Sequence, residues 1–380
     1  MKFIHVSDLH IGKRLGESPL LEEQEAILSA ILSAVDDEAP DGILIAGDVY
    51  DKSIPSAEAV QLFDDFLVKL AKRHLKVFII SGNHDSPERI AFASRIMDAT
   101  GIHLSPVYSG HVTPTVMEDA HGRLNVYMLP FVKPSHVRRF FENEEIGSYT
   151  DAIRIAVNAM QIDTNERNVL VAHQFVTGAE PSQSEELYVG GSENVDACVF
   201  DGFDYVALGH IHGAQSCGAP HIRYCGTPLK YSFSEVKHQK SLTVVELGKK
   251  GTEPVIRTLP LLPIHDMSEL RGSFVELTDP IYYEGKDFRE HYLRIILTDE
   301  EDVPEAMARL RQIYPRVLSL DYDNTRTRRN QSVTGATDAD KRSAFELFAD
   351  FFELQNNMPM TEEQSNYMKE LIERIEEELI

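Results

Sequence analysis

Five short polar motifs, each following a hydrophobic run, are the feature that most constrains how this chain can fold. The runs are four or five residues long, rich in β-branched side chains and bounded by glycine or polar residues, a pattern that predicts buried strands. The motifs carry seven side chains with oxygen or imidazole donors: Asp8, His10, Asp48, Asn83, His173, His210 and His212. In open α/β sheets, ligands at the carboxyl ends of strands converge on one crevice. We therefore expect an α/β fold with a polar centre at its strand ends.

The donor types in these motifs point to metal chemistry. Together they could hold two divalent ions side by side, an arrangement that supports phosphoester hydrolysis. Mixed oxygen and imidazole ligands suit Mn²⁺, Fe²⁺ or Zn²⁺ better than Ca²⁺ or Mg²⁺. No cysteine is among them, which argues against a closed structural zinc site. Any one motif alone could be an ordinary turn, so the prediction depends on all five in this order.

The motif series resembles the calcineurin-like metallophosphoesterases. Within that superfamily it is most similar to the SbcD-type exonuclease subunits, the bacterial counterparts of a eukaryotic recombination nuclease. The stretches that carry this narrower resemblance are VSDLHIG at 6–12, GDVYD at 47–51, SGNHD at 81–85, VGGSENV at 189–195, GHIH at 209–212 and GTPLKYS at 226–232. The resemblance covers nearly the whole chain and implies a layered α/β sandwich with a small α+β capping domain and C-terminal helices.

The resemblance also implies a division of the ligands between two ions, with Mn²⁺ expected as the activating metal. One ion would be held by Asp8, His10 and His212, and the other by Asn83, His173 and His210. Asp48 would bridge them, because one carboxylate has two oxygens. The nucleophile would be a water activated by the metals, so no side-chain base is needed.

Three further residues near the ligands have expected roles. The resemblance implies that His84 is the general acid, or that it stabilises charge in the transition state. Asp85 either fixes the tautomer of His84 or caps the helix predicted near Pro87. Asp51 is either a supporting residue behind the ligands or simply a turn residue. The other histidines, including His5 inside the first predicted strand, are expected to lie outside the metal centre.

Periodicity divides the chain into three parts. Residues 1–265 alternate strand and helix patterns, with helices expected over 21–37 and 56–74 and a second sheet that includes 222–224 and 241–245. The proline-containing stretch 259–263 predicts a linker. Residues 270–335 form a smaller unit with strands at 292–297 and 317–320 and a helix over 303–313. By resemblance this unit is a capping domain that orients DNA; the alternative is an accessory packing domain.

The end of the chain predicts a partner-binding element. A polar linker at 329–337 precedes two helix patterns, 344–354 and 361–380, within a segment 340–380. The first carries more aromatic surface than a short free helix tolerates, so the two helices either pack back on the core or dock onto a partner. The resemblance implies a coiled-coil ATPase as that partner, in a heterotetramer built on a homodimer of this chain. The sequence contains no Walker A motif, so ATP use would belong to the partner.

Composition limits the remaining classes. No apolar stretch approaches a membrane span, the N-terminus is expected to start a strand directly without a signal peptide, and three cysteines without a CxxC pair favour a reducing cytoplasm. The chain has 37 Lys and Arg against 61 Asp and Glu, a net charge of −24, which argues against strong DNA binding by this chain alone. A basic cluster at 326–329 is either a solvated loop or a contact to DNA or a partner.

These observations lead to one main hypothesis. The chain is expected to be the nuclease subunit of an ATP-dependent complex that acts in DNA repair and recombination. By resemblance it would be a 3′-to-5′ exonuclease on double strands and an endonuclease on single strands or hairpins. The alternatives are a small-molecule metallophosphoesterase with the same site and a non-catalytic scaffold, and the intact ligand set argues against the scaffold.

Overall fold

A computed structural model describes residues 1–182, 194–327, 345, 348–349, 351–352 and 359–378. It divides into two compact units, Met1–Met267 and Ser268–Ile380. The strands are β1 (Lys2–Val6), β2 (Arg14–Leu15), β3 (Ser18–Pro19), β4 (Gly42–Ala46), β5 (Lys76–Ile80), β6 (Ile102–Leu104), β7 (Thr115–Asp119), β8 (Gly122–Leu129), β9 (Arg167–His173), β10 (Tyr205–Gly209), β11 (Gln215–Cys217), β12 (Ala219–Tyr224), β13 (Ser241–Glu246), β14 (Val255–Pro260), β15 (Met267–Gly272), β16 (Tyr292–Leu297) and β17 (Val317–Tyr322).

The helices in the same residues are α1 (Leu21–Glu38), α2 (Ala57–Ala71), α3 (Pro87–Ile90), α4 (Ser94–Met97), α5 (Pro134–Arg138), α6 (Tyr149–Asn158), α7 (Phe274–Leu277), α8 (Pro280–Tyr283), α9 (Ala306–Arg311) and α10 (Glu362–Glu378). Short 3₁₀ turns lie at Asp98–Thr100, Ala197–Phe200, Phe233–Glu235 and Asp287–Glu290. None of the helices in the described part of the chain combines the length and apolar character of a membrane span.

Two six-stranded sheets form the first unit. The first has the order β14-β13-β1-β4-β5-β6 and the second β11-β12-β10-β9-β8-β7. Within them β1, β4, β5 and β6 run parallel to one another, as do β8, β9, β10 and β12. The prediction that 241–245 belongs to the second sheet is wrong, because β13 pairs antiparallel with β1 in the first sheet.

Apolar side chains of the two sheets meet in one buried cluster. Phe3, Leu44 and Phe78 come from the first sheet, and Val126 and Val171 from the second. Helix α6 covers the other face of the second sheet, where its apolar side chains join a separate cluster with those of β9 and β10. The fold is therefore the expected layered α/β sandwich, and its sheet-to-sheet contact places the carboxyl ends of strands from both sheets near one another.

The two predicted helices of the first unit are confirmed, whereas the predicted linker is not. Helix α1 spans Leu21–Glu38 and α2 spans Ala57–Ala71, capped by Ser56, whose hydroxyl accepts from the backbone N–H of Ala59. Part of 259–263 is strand, because β14 extends to Pro260. Strand β14 lies at the edge of its sheet, where proline is tolerated.

The second unit contains a three-stranded sheet in the order β15-β16-β17. Strands β16 and β17 are parallel and are connected through α9, as the strand–helix–strand pattern predicts. The helix is shorter than expected and begins at Ala306, because Glu305 has a φ of +53° and the chain turns at Pro304 first. Leu293, Leu310 and other buried side chains form a core within this unit.

The C-terminal segment is described only in part. Helix α10 begins with the predicted capping box: the amide of Thr361 donates to the Gln364 side chain, and the Gln364 amide donates to the Thr361 hydroxyl. In 344–354, Phe345, Phe348, Ala349, Phe351 and Phe352 are helical, and Lys369 lies 4.8 Å from the Phe345 ring. The rest of that pattern, the polar linker at 329–337 and residues 189–193 lie outside the described residues.

Candidate metal centre

The five predicted strands all exist, and each ends at its motif. Strands β1, β4 and β5 of the first sheet lead to Asp8, Asp48 and Asn83, whereas β9 and β10 of the second sheet lead to His173 and His210. The candidate site therefore lies where the carboxyl ends of two facing sheets meet.

Unusual backbone geometry marks the candidate ligands. Asp8, His10, Asp48 and His210 have φ angles of +52°, +43°, +49° and +105°. Such angles cost non-glycine residues on the order of 1–3 kcal/mol each, and they concentrate at functional sites. The strained loops are tied together, since the amides of Asp8 and His10 donate to the carbonyls of Gly47 and Asp48 at 3.0 and 2.9 Å.

Close packing requires glycine directly before two of the ligands. A Cβ on Gly82 would lie 2.1 Å from Oδ1 of Asp48, and a Cβ on Gly209 would lie 1.9 Å from the carbonyl oxygen of Ala46. Real Cβ atoms do not approach other atoms so closely. The glycine in the Gly-Asn and Gly-His motifs is thus needed because backbone and ligand side chains meet at these positions.

Six of the titratable side chains form three overlapping groups whose candidate ligand atoms lie within 4.8 Å of one another. The groups are Asp8 with His10 and His212, His10 with Asp48 and His84, and Asp8 with Asp48 and His173. Oδ2 of Asp48 lies 3.4 Å from Nε2 of His173 and 3.8 Å from Nε2 of His10. Asp48 thus stands between His10 and His173, which the resemblance assigns to different ions.

Asn83 connects the remaining predicted ligand, His210, to these groups. Its Oδ1 lies 2.9 Å from Nε2 of His173 and 3.0 Å from Nδ1 of His210. The amide of His210 donates to Oδ1 of Asp8 at 3.0 Å, which links the second sheet to the first motif. All seven predicted ligands therefore lie in one cluster.

Burial and mutual charge control the protonation of this cluster. Burial raises the pKa of Asp8 to about 6, although His173 opposes the shift. Burial also opposes the charged form of Asp48, yet His173 and the other histidines outweigh it and lower the Asp48 pKa. Burial alone would lower the pKa of His173, but Asp48 raises it to about 9. Burial, with the charge of His173, lowers the pKa of His210 to about 3, so this imidazole is neutral and has a lone pair for a cation.

The residues present fit bound divalent cations. His10 is 1% exposed, and among the residues that the structure describes neither of its ring nitrogens has a hydrogen-bond partner. An unpaired buried imidazole is costly unless another group satisfies it. Carboxylate oxygens and imidazole nitrogens at these distances are the donors that borderline divalent ions prefer, and a bound ion would displace the proton that Asp48 favours on His173.

His84 is more exposed to solvent than the proposed ligand His10. Its side chain is 19% exposed, whereas that of His10 is 1% exposed. Its Nδ1 lies 3.0 Å from the carbonyl oxygen of Asp51, so Nδ1 carries the proton of that hydrogen bond and Nε2 lies on the side of the centre, 4.0 Å from Oδ2 of Asp48. This placement makes Nε2 the ring atom available to a substrate.

Asp85 joins two motifs. Its carboxylate accepts from the amides of Val49, Tyr50 and Gly82 at 3.1, 2.9 and 2.9 Å. The capping alternative for Asp85 is wrong, because the side chain of Ser86 caps α3. In place of the expected bond to the His84 ring, the carboxylate holds the loops that carry Asp48 and Asn83 together.

Asp51 contributes through both its backbone and its side chain. Its carbonyl accepts from His84, and its carboxylate lies 2.7 Å from Nζ of Lys13 and 3.9 Å from Nδ1 of His10. His5, expected outside the centre, is buried and bonds to the Tyr205 hydroxyl at 2.9 Å.

Sequence reasoning missed several residues that hold the ligands in place. The hydroxyl of Tyr231 donates to the carbonyl of Leu9, and the Gln24 amide donates to the carbonyl of His10 at 2.7 Å. Glu235 is fully buried with Oε1 at 3.1 Å from Nδ1 of His212. The GTPLKYS stretch is a signal for Tyr231, which it includes, and for Glu235, which follows it shortly, whereas no motif pointed to Gln24.

Comparison with known families and proteins adds independent information. Residues 1–214 match the family described as calcineurin-like phosphoesterase. Residues 263–356 match the SbcD C-terminal family, described as type 5 capsule protein repressor C-terminal domain. The SbcD subunit of nuclease SbcCD from Staphylococcus epidermidis is 30% identical over 381 residues, which cover 98% of each chain.

Two solved structures are similar over part of the chain. A dimetal phosphatase from Danio rerio has a TM-score of 0.41 at 12% identity, covering 68% of this chain and 98% of its own. The protein TT1561 of Thermus thermophilus has a TM-score of 0.39 at 14% identity, with the same coverage of 68% and 98%.

Proposed function

The chain belongs to the SbcD-type nuclease subunits, with a calcineurin-like phosphoesterase core, and on this basis we propose that it hydrolyses DNA phosphodiester bonds at a centre of two divalent ions. The observation that supports this most directly is the convergence of seven oxygen and imidazole donors from five strand ends, with Asp48 between His10 and His173.

Each ion has its own set of side chains in this proposal. Asp8, His10 and His212 hold one ion, Asn83, His173 and His210 hold the other, and Asp48 serves both. The ions, Mn²⁺ by preference, supply Lewis-acid polarisation of the phosphoryl group and lower the pKa of a water. The ring nitrogens of buried His10 have no hydrogen-bond partner within the described part of the chain, which supports its part in this set.

The protein's own groups bind the substrate and move the proton. His84 is partly exposed, and the Asp51 carbonyl holds its ring so that Nε2 lies on the side of the centre. At that position the imidazolium form, protonated on both ring nitrogens, would donate the Nε2 proton to the leaving-group oxygen or stabilise the charge that develops there. Asp51 supports the reaction by orienting the His84 ring. Asp85 supports it by holding the two motif loops in place.

The chain acts as part of a complex in this proposal. The relative is named as one component of nuclease SbcCD, which implies a second subunit, and we expect a coiled-coil ATPase of the SbcC type. The net charge of −24 agrees with DNA affinity supplied by the ions and the partner more than by this chain. The capping domain at 270–335 orients DNA, the segment 340–380 docks the ATPase, and two copies of each subunit form a heterotetramer.

One half-buried residue of the basic cluster is already engaged. The guanidinium of Arg326 pairs with the carboxylate of Asp302 at 2.7 Å, so this part of the basic cluster 326–329 is held inside its own unit. Arg328 and Arg329 lie outside the described residues. DNA contact by the cluster is therefore expected to depend on those two arginines.

The test is a cleavage assay with and without the partner. End-labelled duplex DNA is incubated with the chain and Mn²⁺, alone and with the ATPase and ATP, and EDTA is the control. We expect metal-dependent cleavage that the ATPase and ATP stimulate, with products that report 3′-to-5′ polarity. Rapid hydrolysis of small phosphodiesters, together with no DNA cleavage even with the partner, would favour the small-molecule enzyme instead.

A further inference from the structure

Glu235 lies behind a candidate ligand, outside every motif used above. It ends the 3₁₀ turn Phe233–Glu235 and is 0% exposed. A buried carboxylate requires partners, and those of Glu235 include His212, Lys240 and Thr227. Because His212 is a proposed metal ligand, this cluster can influence the metal centre.

Two different atoms of His212 are held by this cluster. Nδ1 of the ring lies 3.1 Å from Oε1 of Glu235. The backbone carbonyl of His212 accepts from Nζ of Lys240 at 3.0 Å and from the amide of Thr227 at 3.2 Å. The segment 227–240 therefore restrains both the ring and the backbone of one ligand.

The charges of Lys240 and Glu235 determine which atom is the donor in the hydrogen bond between the His212 ring and Glu235. The ammonium of Lys240 donates to Oε2 of Glu235, and both side chains are buried. A carboxylate paired with a cation accepts hydrogen bonds, so Nδ1 of His212 must be the donor. In the neutral ring the other nitrogen, Nε2, then carries the lone pair, the state that a metal ligand needs.

We propose that Glu235 is a positioning residue for the metal centre, which fixes His212 in the tautomer that presents Nε2 to the ion held with Asp8 and His10. The inference rests on the proposed metal centre. Carboxylates that accept from a ligand histidine orient the ring and raise its basicity, and their loss typically lowers metal affinity by about 10- to 100-fold.

Two double variants separate the hydrogen bond from the buried ion pair. Glu235→Leu with Lys240→Met removes the charges and the acceptor together, a replacement that buried ion pairs often tolerate. Glu235→Gln with Lys240→Met removes the same charges but keeps a carbonyl oxygen for Nδ1 of His212. The matched control is Glu23→Gln, because Glu23 is also buried and bonded to a histidine, His265, at 2.6 Å outside the centre.

Mn²⁺ binding to each metal-free protein is measured by calorimetry. We expect the Leu/Met variant to bind one of two Mn²⁺ ions about 10- to 100-fold more weakly, and the Gln/Met variant and the Glu23→Gln control to bind both nearly as the parent does. Unchanged affinity in the Leu/Met variant, or an equal loss in the Gln/Met variant, would overturn the proposal.

A second measurement tests the proposed role of Glu235 even where a variant fails to fold. Long-range ¹H–¹⁵N correlation spectra of the unmodified, metal-free protein report the tautomer of His212. A proton on Nδ1 is expected, and a proton on Nε2 overturns the role of Glu235. Failure of the unmodified protein to bind Mn²⁺ would instead count against the metal centre itself, so the two failures are distinguishable.

Discussion

Nε2 of His173 lies 2.9 Å from Oδ1 of Asn83, although the two residues are 90 positions apart and follow strands of different sheets. Asn83 follows β5 of the first sheet, and His173 ends β9 of the second. The centre therefore exists only when the two sheets are packed together. Metal binding and folding of the first unit should accordingly be coupled, because ions that bind only the folded state stabilise it.

Asp48→Ala should abolish hydrolysis and reduce metal content while the fold persists. Asp48 is the one residue assigned to both ions, and its carboxylate lies between His10 and His173. Metal analysis, circular dichroism and the cleavage assay measure the three properties. The control is Asp98→Ala, which removes a carboxylate paired with His103 at 2.9 Å outside the centre. Two bound ions and normal activity in Asp48→Ala would refute the bridging role.

His84→Gln should keep both ions and lose roughly 100-fold or more in rate, the usual size of a general-acid effect. The reason is that His84 is partly exposed and bonded to the Asp51 carbonyl, so the ions do not depend on it. Turnover and metal content are measured on the same sample, with His103→Gln as the control. Metal loss in this variant would make His84 a ligand, and an unchanged rate would remove it from the mechanism.

Gly82→Ala should weaken metal binding severely and destabilise the first unit. An added Cβ would lie 2.1 Å from Oδ1 and 2.4 Å from the backbone nitrogen of Asp48, so the loops must separate. Gly202→Ala is the control, since the nearest atom to its Cβ is a side-chain carbon of Ile162 at 3.7 Å. Calorimetric titration with Mn²⁺ and thermal unfolding compare the two. Equal behaviour of the variants would show that the motif loops have more freedom than the structure indicates.

Asp119→Asn should lower the free energy of unfolding at pH 7 by about 3 kcal/mol, because it leaves Arg167 buried without its carboxylate partner. The guanidinium of Arg167, which is 2% exposed, hydrogen-bonds to Asp119 and holds the pKa of that carboxyl below its usual range. A carboxyl group whose pKa is depressed in the folded state stabilises the fold above its unfolded pKa of about 4. This stabilisation is lost as the pH falls through the pKa of the folded state.

The difference between parent and Asp119→Asn should therefore shrink when urea unfolding is repeated below about pH 4. Asp36→Asn is the control, because its pair with Arg73 is exposed and contributes little at any pH. A difference that stays constant down to about pH 2, well below the ordinary pKa of an aspartate, would mean that charge on Asp119 is not the source of the stability.

Deletion of residues 340–380 should leave Mn²⁺ binding and cleavage of a small phosphodiester intact but abolish association with the ATPase. All proposed ligands lie before residue 213, and Phe351 in the deleted segment is 56% exposed. Co-purification with the ATPase measures association, and Phe351→Asp in the full chain tests the aromatic surface without truncation. Equal binding by the truncated and full chains would show that the tail is not the docking element.

The sequence by itself determined the types of the proposed ligands and the strands that deliver them. Asp8, Asp48 and Asn83 could be predicted because strand patterns and the turns that follow them are local properties of the chain. The same reasoning located α1 and α2 and the Thr361 capping box, since apolar periodicity and capping depend on neighbouring residues. The resemblance then supplied the expected roles of the ligands, which no local pattern could.

The tertiary structure alone decided how distant segments meet. The pairing of β13 with β1, the contact of Asp85 with Val49 and Tyr50, and the burial of Glu235 against His212 all join residues that are separated along the chain. Such contacts arise from sheet packing and buried charge, and neither periodicity nor motif spacing encodes the partner of a polar group. The sequence thus determined which side chains could bind metal, and packing of the two sheets decided which groups hold them in place.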